Sequence, residues 1–152
     1  SRPVFMEVRD RFSAVRKEAM PAAFVIDQLD AKVVELLRRQ GVQVEQLTRQ
    51  WVGESEKFRV DTIMRASRPN EGHCAVRVDG SWGAATTDTL AAGSYLIPTD
   101  QRFGLLAAFL LEPASEDGYT TWNFFDRGLR PHAPHPVRRV RRMPGVARTA
   151  VP

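Results

Sequence analysis

The sequence predicts an α+β domain in which a mixed, mostly antiparallel sheet is packed by two main helices. Apolar residues recur at every second position between about residues 54 and 97, which is typical of half-buried strands. The segments 28–40 and 101–111 instead carry the apolar pattern of buried helices. The chain has 152 residues, 43% of them hydrophobic, and this is enough for one domain without a disulfide or metal to hold it together.

The first half of the chain is predicted to hold a helix and then a strand–helix–strand unit. An apolar stripe at Val4, Val8, Phe12 and Val15 predicts a linker helix within residues 1–20. Residues 22–26 and 42–47 are strand candidates, and they flank the helix over 28–40, which Asp27 would cap at its N-terminus and Gly41 at its C-terminus. The crossover is long enough to connect two paired parallel strands.

The middle of the chain is predicted to form an antiparallel meander. Residues 58–66 and 73–78 alternate apolar and polar side chains. Asp79-Gly80 predicts a tight turn, after which residues 81–87 would return as a strand. A further short strand is expected at residues 94–97.

The last third is predicted to contain a buried helix, a short helix and a strand. Thr99 or Asp100 would cap the helix over 101–111, which is apolar nearly all round and is therefore expected to be largely buried. A short helix is expected at residues 119–125 and an edge strand at 136–140. We expect one folded domain over residues 21–142, followed by a flexible, disordered basic tail over 143–152.

The basic residues are concentrated at the C-terminal end of the chain. The net charge is +4, and seven arginines and no acidic residue occur from Arg127 onward, which leaves 15 basic and 18 acidic residues in 1–126. The run from Arg138 to Arg142 could contact phosphates, so nucleic-acid binding through this tail is one alternative function. No aromatic residue is interleaved with the run to stack on bases, and we do not expect this function.

No set of residues in the sequence predicts a catalytic or metal site. The three histidines are His73, His132 and His135, and the last two are separated by prolines that favour an extended backbone. His73 and Cys74 are neighbours, and neighbouring residues on a strand point to opposite faces. We therefore expect no catalytic residue, metal ligand or cofactor in this chain. No run of about 18 apolar residues predicts a membrane span, and the compartment stays open.

Several large or charged side chains are candidates for an interface or a ligand-facing surface. The aromatic residues that follow the helix over 101–111 could lock it to the sheet or face another domain. Glu112 could pair with Arg65 or Arg102, or face a partner domain. A groove beside the aromatic residues would make the chain a module that binds peptide or cell-wall ligands, a second alternative function. The candidates are Trp51, Trp82, Tyr95, Glu112, Trp122 and Phe125.

The segment 93–126 carries a resemblance to a known protein family. Its pattern consists of Gly93, Tyr95, Pro98, Asp100-Gln101, residues 110–113 (LLEP), an acidic loop at 115–117 and residues 122–126 (WNFFD). This pattern resembles a segment downstream of the catalytic domain in large bacterial members of the zinc carboxypeptidase family, the carboxypeptidase A-like metallopeptidases. The resemblance extends over residues 21–141, with the segment from Leu110 onward the most specific part.

The resemblance implies that the chain is a C-terminal accessory domain of a longer metallocarboxypeptidase-like hydrolase. That family holds its zinc with a His-x-x-Glu pair and a later histidine, and no histidine here is followed three residues on by glutamate. The zinc is therefore expected in a catalytic domain outside this chain. The resemblance also implies the partner, which is the catalytic domain of the same polypeptide.

Overall fold

The computed structural model describes Ser13 and residues 17–152, apart from the side chain of Leu29. Most of the predicted linker helix over 1–20 lies outside these described residues. The described chain forms eight strands and two α-helices, which in order are β1 (Ala23–Ile26), α1 (Ala31–Arg39), β2 (Glu45–Leu47), β3 (Trp51–Arg65), β4 (Val76–Trp82), β5 (Thr86–Leu90), β6 (Tyr95–Pro98), α2 (Gly104–Leu111), β7 (Pro134–Val140) and β8 (Arg148–Ala150). A turn of 3-10 helix, Gln28–Asp30, precedes α1.

The strands form one open antiparallel sheet, which confirms the predicted α+β class. Its order is β4-β3-β7-β1-β6-β2-β8, and β5 pairs with β3 off this path. Each pairing between the described strands is antiparallel. No helix of the described part is long and apolar enough to cross a membrane.

The predicted strand–helix–strand unit is present, but its two strands do not pair with each other. Both β1 and β2 pair antiparallel with β6, so they run in the same direction with β6 inserted between them. Helix α1 ends as expected at Gly41, where φ is 82°. The amide of Gly41 donates to the Arg38 carbonyl and that of Val42 to the Leu37 carbonyl, which is the hydrogen-bond pair of a Schellman cap.

The prediction of a tight turn at Asp79-Gly80 is wrong. Both residues lie inside β4, and the chain reverses earlier, between Asn70 and His73. Glu71 and Gly72, the central residues of that turn, have φ of 52° and 83°, which suits a tight hairpin turn. After the turn, β4 and β5 follow β3 along its length, with Trp82 opposite Phe58 and Thr86 opposite Ser55.

Gly80 allows the backbones of β3 and β4 to approach closely, and it does not form a turn. It lies opposite Val60, where the register between β3 and β4 shifts before Thr62. A Cβ atom at position 80 would stand 2.1 Å from the Arg59 carbonyl oxygen and 2.7 Å from the Phe58 ring. Glycine inside a strand often marks such a bulge.

Helix α2 is shorter than predicted, and the predicted short helix at 119–125 is absent. Thr99 does not cap α2, because its hydroxyl donates to the Pro21 carbonyl at 2.5 Å, and α2 begins only at Gly104. Residues 119–125 form successive turns instead of a helix. Asn123 has φ of 67°, a left-handed conformation that interrupts a helix.

The sheet is covered on both faces. On one face α1 and α2 pack against a core that includes Phe24, Ile26 and Val137. On the other face Val25, Leu96 and Val140 are buried, with Met143 and Val146 packed against them. The C-terminal segment therefore covers the second face, and β8 pairs with β2. We expected a disordered tail beyond Arg142, whereas in the structure Met143 and Val146 pack on this face and Arg148–Ala150 form β8.

We predict that Gly80→Ala lowers the free energy of unfolding by about 1–3 kcal/mol, because the added methyl group forces β3 and β4 apart. Gly83→Ala is the matched control, since the atom nearest to its Cβ is 3.5 Å away and the cost should stay within about 0.5 kcal/mol. Urea unfolding of both variants measures the difference. Equal stabilities would show that Gly80 is not required for close packing.

Candidate functional site

A connected polar group surrounds Arg139, on the face of β7 that points toward the helices. The side chain of Arg139 is only 5% exposed, and its Nε donates to Oε2 of Glu56 on the neighbouring strand β3. Its guanidinium lies 4.1 Å from the centroid of the Trp82 ring. The Trp82 indole in turn donates to Oε1 of Glu112 at 2.7 Å. We call these four residues, Glu56, Trp82, Glu112 and Arg139, the Arg139 cluster.

The carboxylate of Glu56 is fully engaged by arginines. Its second oxygen accepts a hydrogen bond from Arg141 Nε at 2.7 Å, and Arg139 also reaches Glu18 at 3.2 Å. Burial by itself would raise the pKa of Glu56, but the hydrogen bonds from Arg141 and Arg139 outweigh burial and lower it. The Glu56 carboxylate is therefore charged and links β3 to β7. Because both of its oxygens already accept hydrogen bonds from arginines, it is not available as a general acid or base.

Two of the predicted interface candidates, Trp82 and Glu112, meet in this cluster. Glu112 ends α2, so its bond to Trp82 fixes the C-terminal end of that helix to strand β4. The two arginines that we considered as partners of Glu112 make contacts with other residues. Arg65 bonds to Asp126 at 2.8 Å, and the guanidinium of Arg102 lies over the Phe103 ring at 5.2 Å.

Trp122 forms a second polar group, in the turn region after α2. Its ring stacks on that of His73 with centroids 4.2 Å apart, and its indole donates to Asp117 at 2.5 Å. His73 Nδ1 also forms a hydrogen bond with Asn123 at 2.9 Å. These contacts tie the β3–β4 turn to the segment after α2. Trp122 is half-buried rather than presented to solvent.

The remaining candidates, Trp51, Tyr95 and Phe125, are packed against the core. Phe125 is only 2% exposed and belongs to the main core, so it cannot face a ligand or a partner. Trp51 and Tyr95 are partly buried, Trp51 on the second face of the sheet and Tyr95 on the first. Gly53 leaves room for the Trp51 ring, which would lie 2.0 Å from a Cβ at that position.

His135 is a structural residue of the core. It is 2% exposed, its Nδ1 accepts from the Val137 amide at 3.0 Å, and its Nε2 lies 3.0 Å from Thr120 Oγ1. Because Nδ1 accepts, the proton of the neutral ring lies on Nε2 and is donated to Thr120. Burial lowers the pKa of His135 to about 3. His132 is exposed, in a left-handed conformation with φ of 61°.

The structure brings together no candidate metal ligands in its described part. Among residues 17–152 and Ser13, no group of three or more His, Cys, Asp or Glu side chains is close enough to hold an ion. His73 and His135 are separately engaged, by Asn123 and Thr120 respectively.

Most arginines of the C-terminal run are paired with carboxylates. Arg138 lies within 3.6 Å of Asp27 and Asp88, and Arg148 lies 2.6 Å from Glu45. Arg139 and Arg141 share Glu56. A phosphate backbone would have to compete with these carboxylates for the same guanidinium groups.

The outer side of α2 exposes an apolar surface that the sequence did not lead us to expect. We call it the α2 face and define it by Leu105, 76% exposed, and Phe109, 49% exposed, which lie one turn apart. The opposite side, including Ala107 and Leu111, is buried. The prediction that α2 is largely buried is thus wrong for Leu105 and Phe109, because only the other side of the helix is buried. The sequence did contain a signal for this surface: residues 104–111 include no polar side chain, so the solvent side of the helix is apolar as well.

Comparison with known proteins gives one partial similarity. The chain is 28% identical over 109 residues to Carboxypeptidase 2 of Trichophyton tonsurans, an alignment that includes 72% of this chain and 20% of that protein. The chain thus spans about a fifth of the length of this curated relative. No family model matches the chain, and no solved structure matches it.

The similarity agrees in part with the resemblance drawn from residues 93–126. Both point to carboxypeptidases, and the small share of the relative that is matched is consistent with a partial domain. The relative is fungal, so the bacterial assignment gains no support, and its name does not mention zinc.

We predict that Glu56→Gln lowers the free energy of unfolding by about 3 kcal/mol, because it leaves the buried guanidinium of Arg139 without its main counter-charge. Glu35→Gln is the control, since it removes an exposed pair with Arg39 and should cost less than about 0.5 kcal/mol. Chemical unfolding at neutral pH compares the two. Similar losses in both variants would contradict a dominant role for the buried pair.

We predict that His135 makes stability fall in mild acid. Its pKa is about 3 in the folded chain against 6.5 ordinarily, so below pH 6.5 the unfolded chain binds a proton that the folded chain excludes. Stability is complete above pH 6.5 and falls by about 1.4 kcal/mol per pH unit as the pH drops toward 3. His135→Gln should remove this slope between pH 6.5 and about 5, while His132→Gln keeps it. Unfolding curves recorded between pH 6.5 and 5 measure how stability depends on pH in each variant. If the slope in His135→Gln equals that of the unmodified chain, His135 is not its source.

Proposed function

We propose that this chain is a non-catalytic domain of a carboxypeptidase-like hydrolase and docks on the peptidase domain of the same polypeptide. The α2 face carries the proposal. Leu105 and Phe109 are large apolar side chains, adjacent on one helix and presented to solvent in the described structure. Adjacent exposed apolar residues of this kind are typical of interaction surfaces.

The energetic argument is that the α2 face gains from being covered. Burying one Leu or Phe side chain contributes about 1.5–3 kcal/mol relative to leaving it exposed. The helix beneath is rigidly held, because Glu112 at its end bonds to Trp82 and the buried side of the helix packs in the main core. A rigid apolar surface loses little conformational entropy on binding, which favours a stable domain contact.

The carboxypeptidase assignment of the partner comes from the similarity to Carboxypeptidase 2, of which the matched part is a fifth. The finer assignment, to a zinc enzyme of the carboxypeptidase A-like family, comes from the pattern in residues 93–126. In this proposal the peptidase domain holds the zinc and the catalytic residues. This chain stabilises that domain and shapes its substrate cleft from outside.

The two alternative functions have less support. A peptide or cell-wall binding module would use Trp51, Trp82 or Tyr95 in an open groove, and these side chains are packed against the core or held in the Arg139 cluster. Nucleic-acid binding would use arginines that already face carboxylates.

The test uses the full polypeptide that contains this chain. The double variant Leu105→Ser/Phe109→Ser should loosen the domain contact, so that peptidase activity is lost faster on heating and proteases separate the two domains more readily. The matched control is Val52→Ser/Met64→Ser, which changes two exposed apolar residues on β3. Thermal inactivation and limited proteolysis are the measurements, with a check that both double variants unfold at the same temperature in the isolated chain.

Two outcomes would overturn the proposal. One is a full polypeptide that contains no peptidase domain. The other is a double variant of the α2 face that behaves like the control on β3 in both measurements.

A further inference from the structure

A cavity with charged groups of both signs lies beside the N-terminal end of α1. Its volume is about 350 Å³, and it is lined by Asp27, Asp30, Arg127, Gly128 and Pro136. Asp27 precedes the 3-10 turn before α1 and Asp30 is its last residue, while the other three residues belong to the segment that leads into β7 and to β7 itself. Gly128 lies against Pro136, since a Cβ there would be 2.6 Å from the proline ring. We call this cavity the Asp30 pocket.

The charges of the Asp30 pocket are only partly compensated by one another and by their neighbours. Asp27 reaches Arg138 at 3.5 Å, at the edge of the pocket. Within the described chain, neither Asp30 nor Arg127 has an ion-pair partner within 4.0 Å. Burial and the charge of Asp27 raise the pKa of Asp30, and the charge of Arg127 only partly opposes them. The pocket thus has a negative end that is crowded and partly desolvated, and a positive end that is free.

We infer that the Asp30 pocket binds a small zwitterion, of which a free α-amino acid is the simplest, with its ammonium between Asp27 and Asp30 and its carboxylate on Arg127. An ammonium group has three donors for two carboxylates, and it relieves the repulsion between them. A guanidinium offers two parallel donors to a carboxylate. The volume is at the small end of the range for ligand sites, which suits a molecule of this size.

Ligands with one sign of charge fit the Asp30 pocket less well. An anion would meet two carboxylates, and a simple cation would leave the guanidinium of Arg127 without a partner. Only a molecule that carries both charges a few bonds apart satisfies both ends at once. Carboxypeptidases release free amino acids, so the site would receive the product of the peptidase domain. That link rests on the proposed function, whereas the binding itself does not.

The test is a titration of the 152-residue chain with L-alanine, in which binding is measured by calorimetry and by amide chemical shifts. Two analogues probe the two charges separately: L-alaninamide lacks the carboxylate, and N-acetyl-L-alanine lacks the ammonium. We expect saturable binding of L-alanine with a Kd on the order of 1 mM. Each analogue should bind at least about tenfold more weakly, since each loses a charge-assisted interaction.

Variants locate the binding site. Asp30→Asn and Arg127→Gln should each weaken L-alanine binding by about tenfold or more. Arg142→Gln and Asp100→Asn are matched controls at exposed positions outside the pocket, and they should bind like the unmodified chain. The unfolding temperature of each variant is measured to show that it folds.

Several results would overturn the inference. No saturable binding up to about 10 mM, tenfold above the expected Kd, excludes the site. Equal binding of L-alaninamide makes it a cation site, and equal binding of N-acetyl-L-alanine makes it an anion site. Unchanged binding in Asp30→Asn and Arg127→Gln places the ligand elsewhere. None of these results bears on the contact of the α2 face with a peptidase domain, so the two proposals fail independently.

Discussion

The buried pair between Arg139 and Glu56 is the interaction on which the arrangement of the sheet depends. A guanidinium that is 5% exposed needs a counter-charge close by, because an unpaired buried charge costs several kcal/mol. Glu56 supplies it from β3, and the Trp82 ring covers it from β4. Strand β7 is therefore fixed against β3 on one side, while its other side pairs with β1. The strands β3, β4 and β5 and the strands β1, β6, β2 and β8 become one sheet only through β7.

The two faces of this sheet are covered by different means, and the difference leads to the proposed role. Helices α1 and α2 cover one face, while Met143, Val146 and their neighbours cover the other. Only one side of α2 is buried. The apolar composition that buries Ala107 and Leu111 also leaves Leu105 and Phe109 in solvent. In the proposed function, one side of α2 stabilises this domain and the other side contacts the peptidase domain.

Local patterns predicted the elements well and their partners poorly. The α+β class, α1 with its Gly41 cap, and the strand at β7 follow from periodicity and turn chemistry, which are properties of neighbouring residues. Asp79-Gly80 has the chemistry of a turn, yet a long-range contact with Arg59 uses the glycine inside a strand. The packing of Met143 and Val146 depends on an apolar face formed largely by residues far earlier in the chain, such as Val25 and Leu96. Of the six interface candidates, Trp82 and Glu112 do meet, while Phe125 is buried. The Asp30 pocket joins Asp30 to Arg127, which sequence spacing cannot bring together.

The central position of β7 also has a consequence for how the chain acquires its structure during translation. The strand occupies residues 134–140, near the end of the sequence, but it lies in the middle of the sheet. The ribosome therefore releases β3, β4 and β5, and separately β1, β2 and β6, before the strand that unites them exists. Until then the exposed edges of both groups are open to incorrect pairing. Completion of the sheet follows synthesis of all its other described strands except β8, and chaperones acting on the nascent polypeptide would meet two unjoined halves.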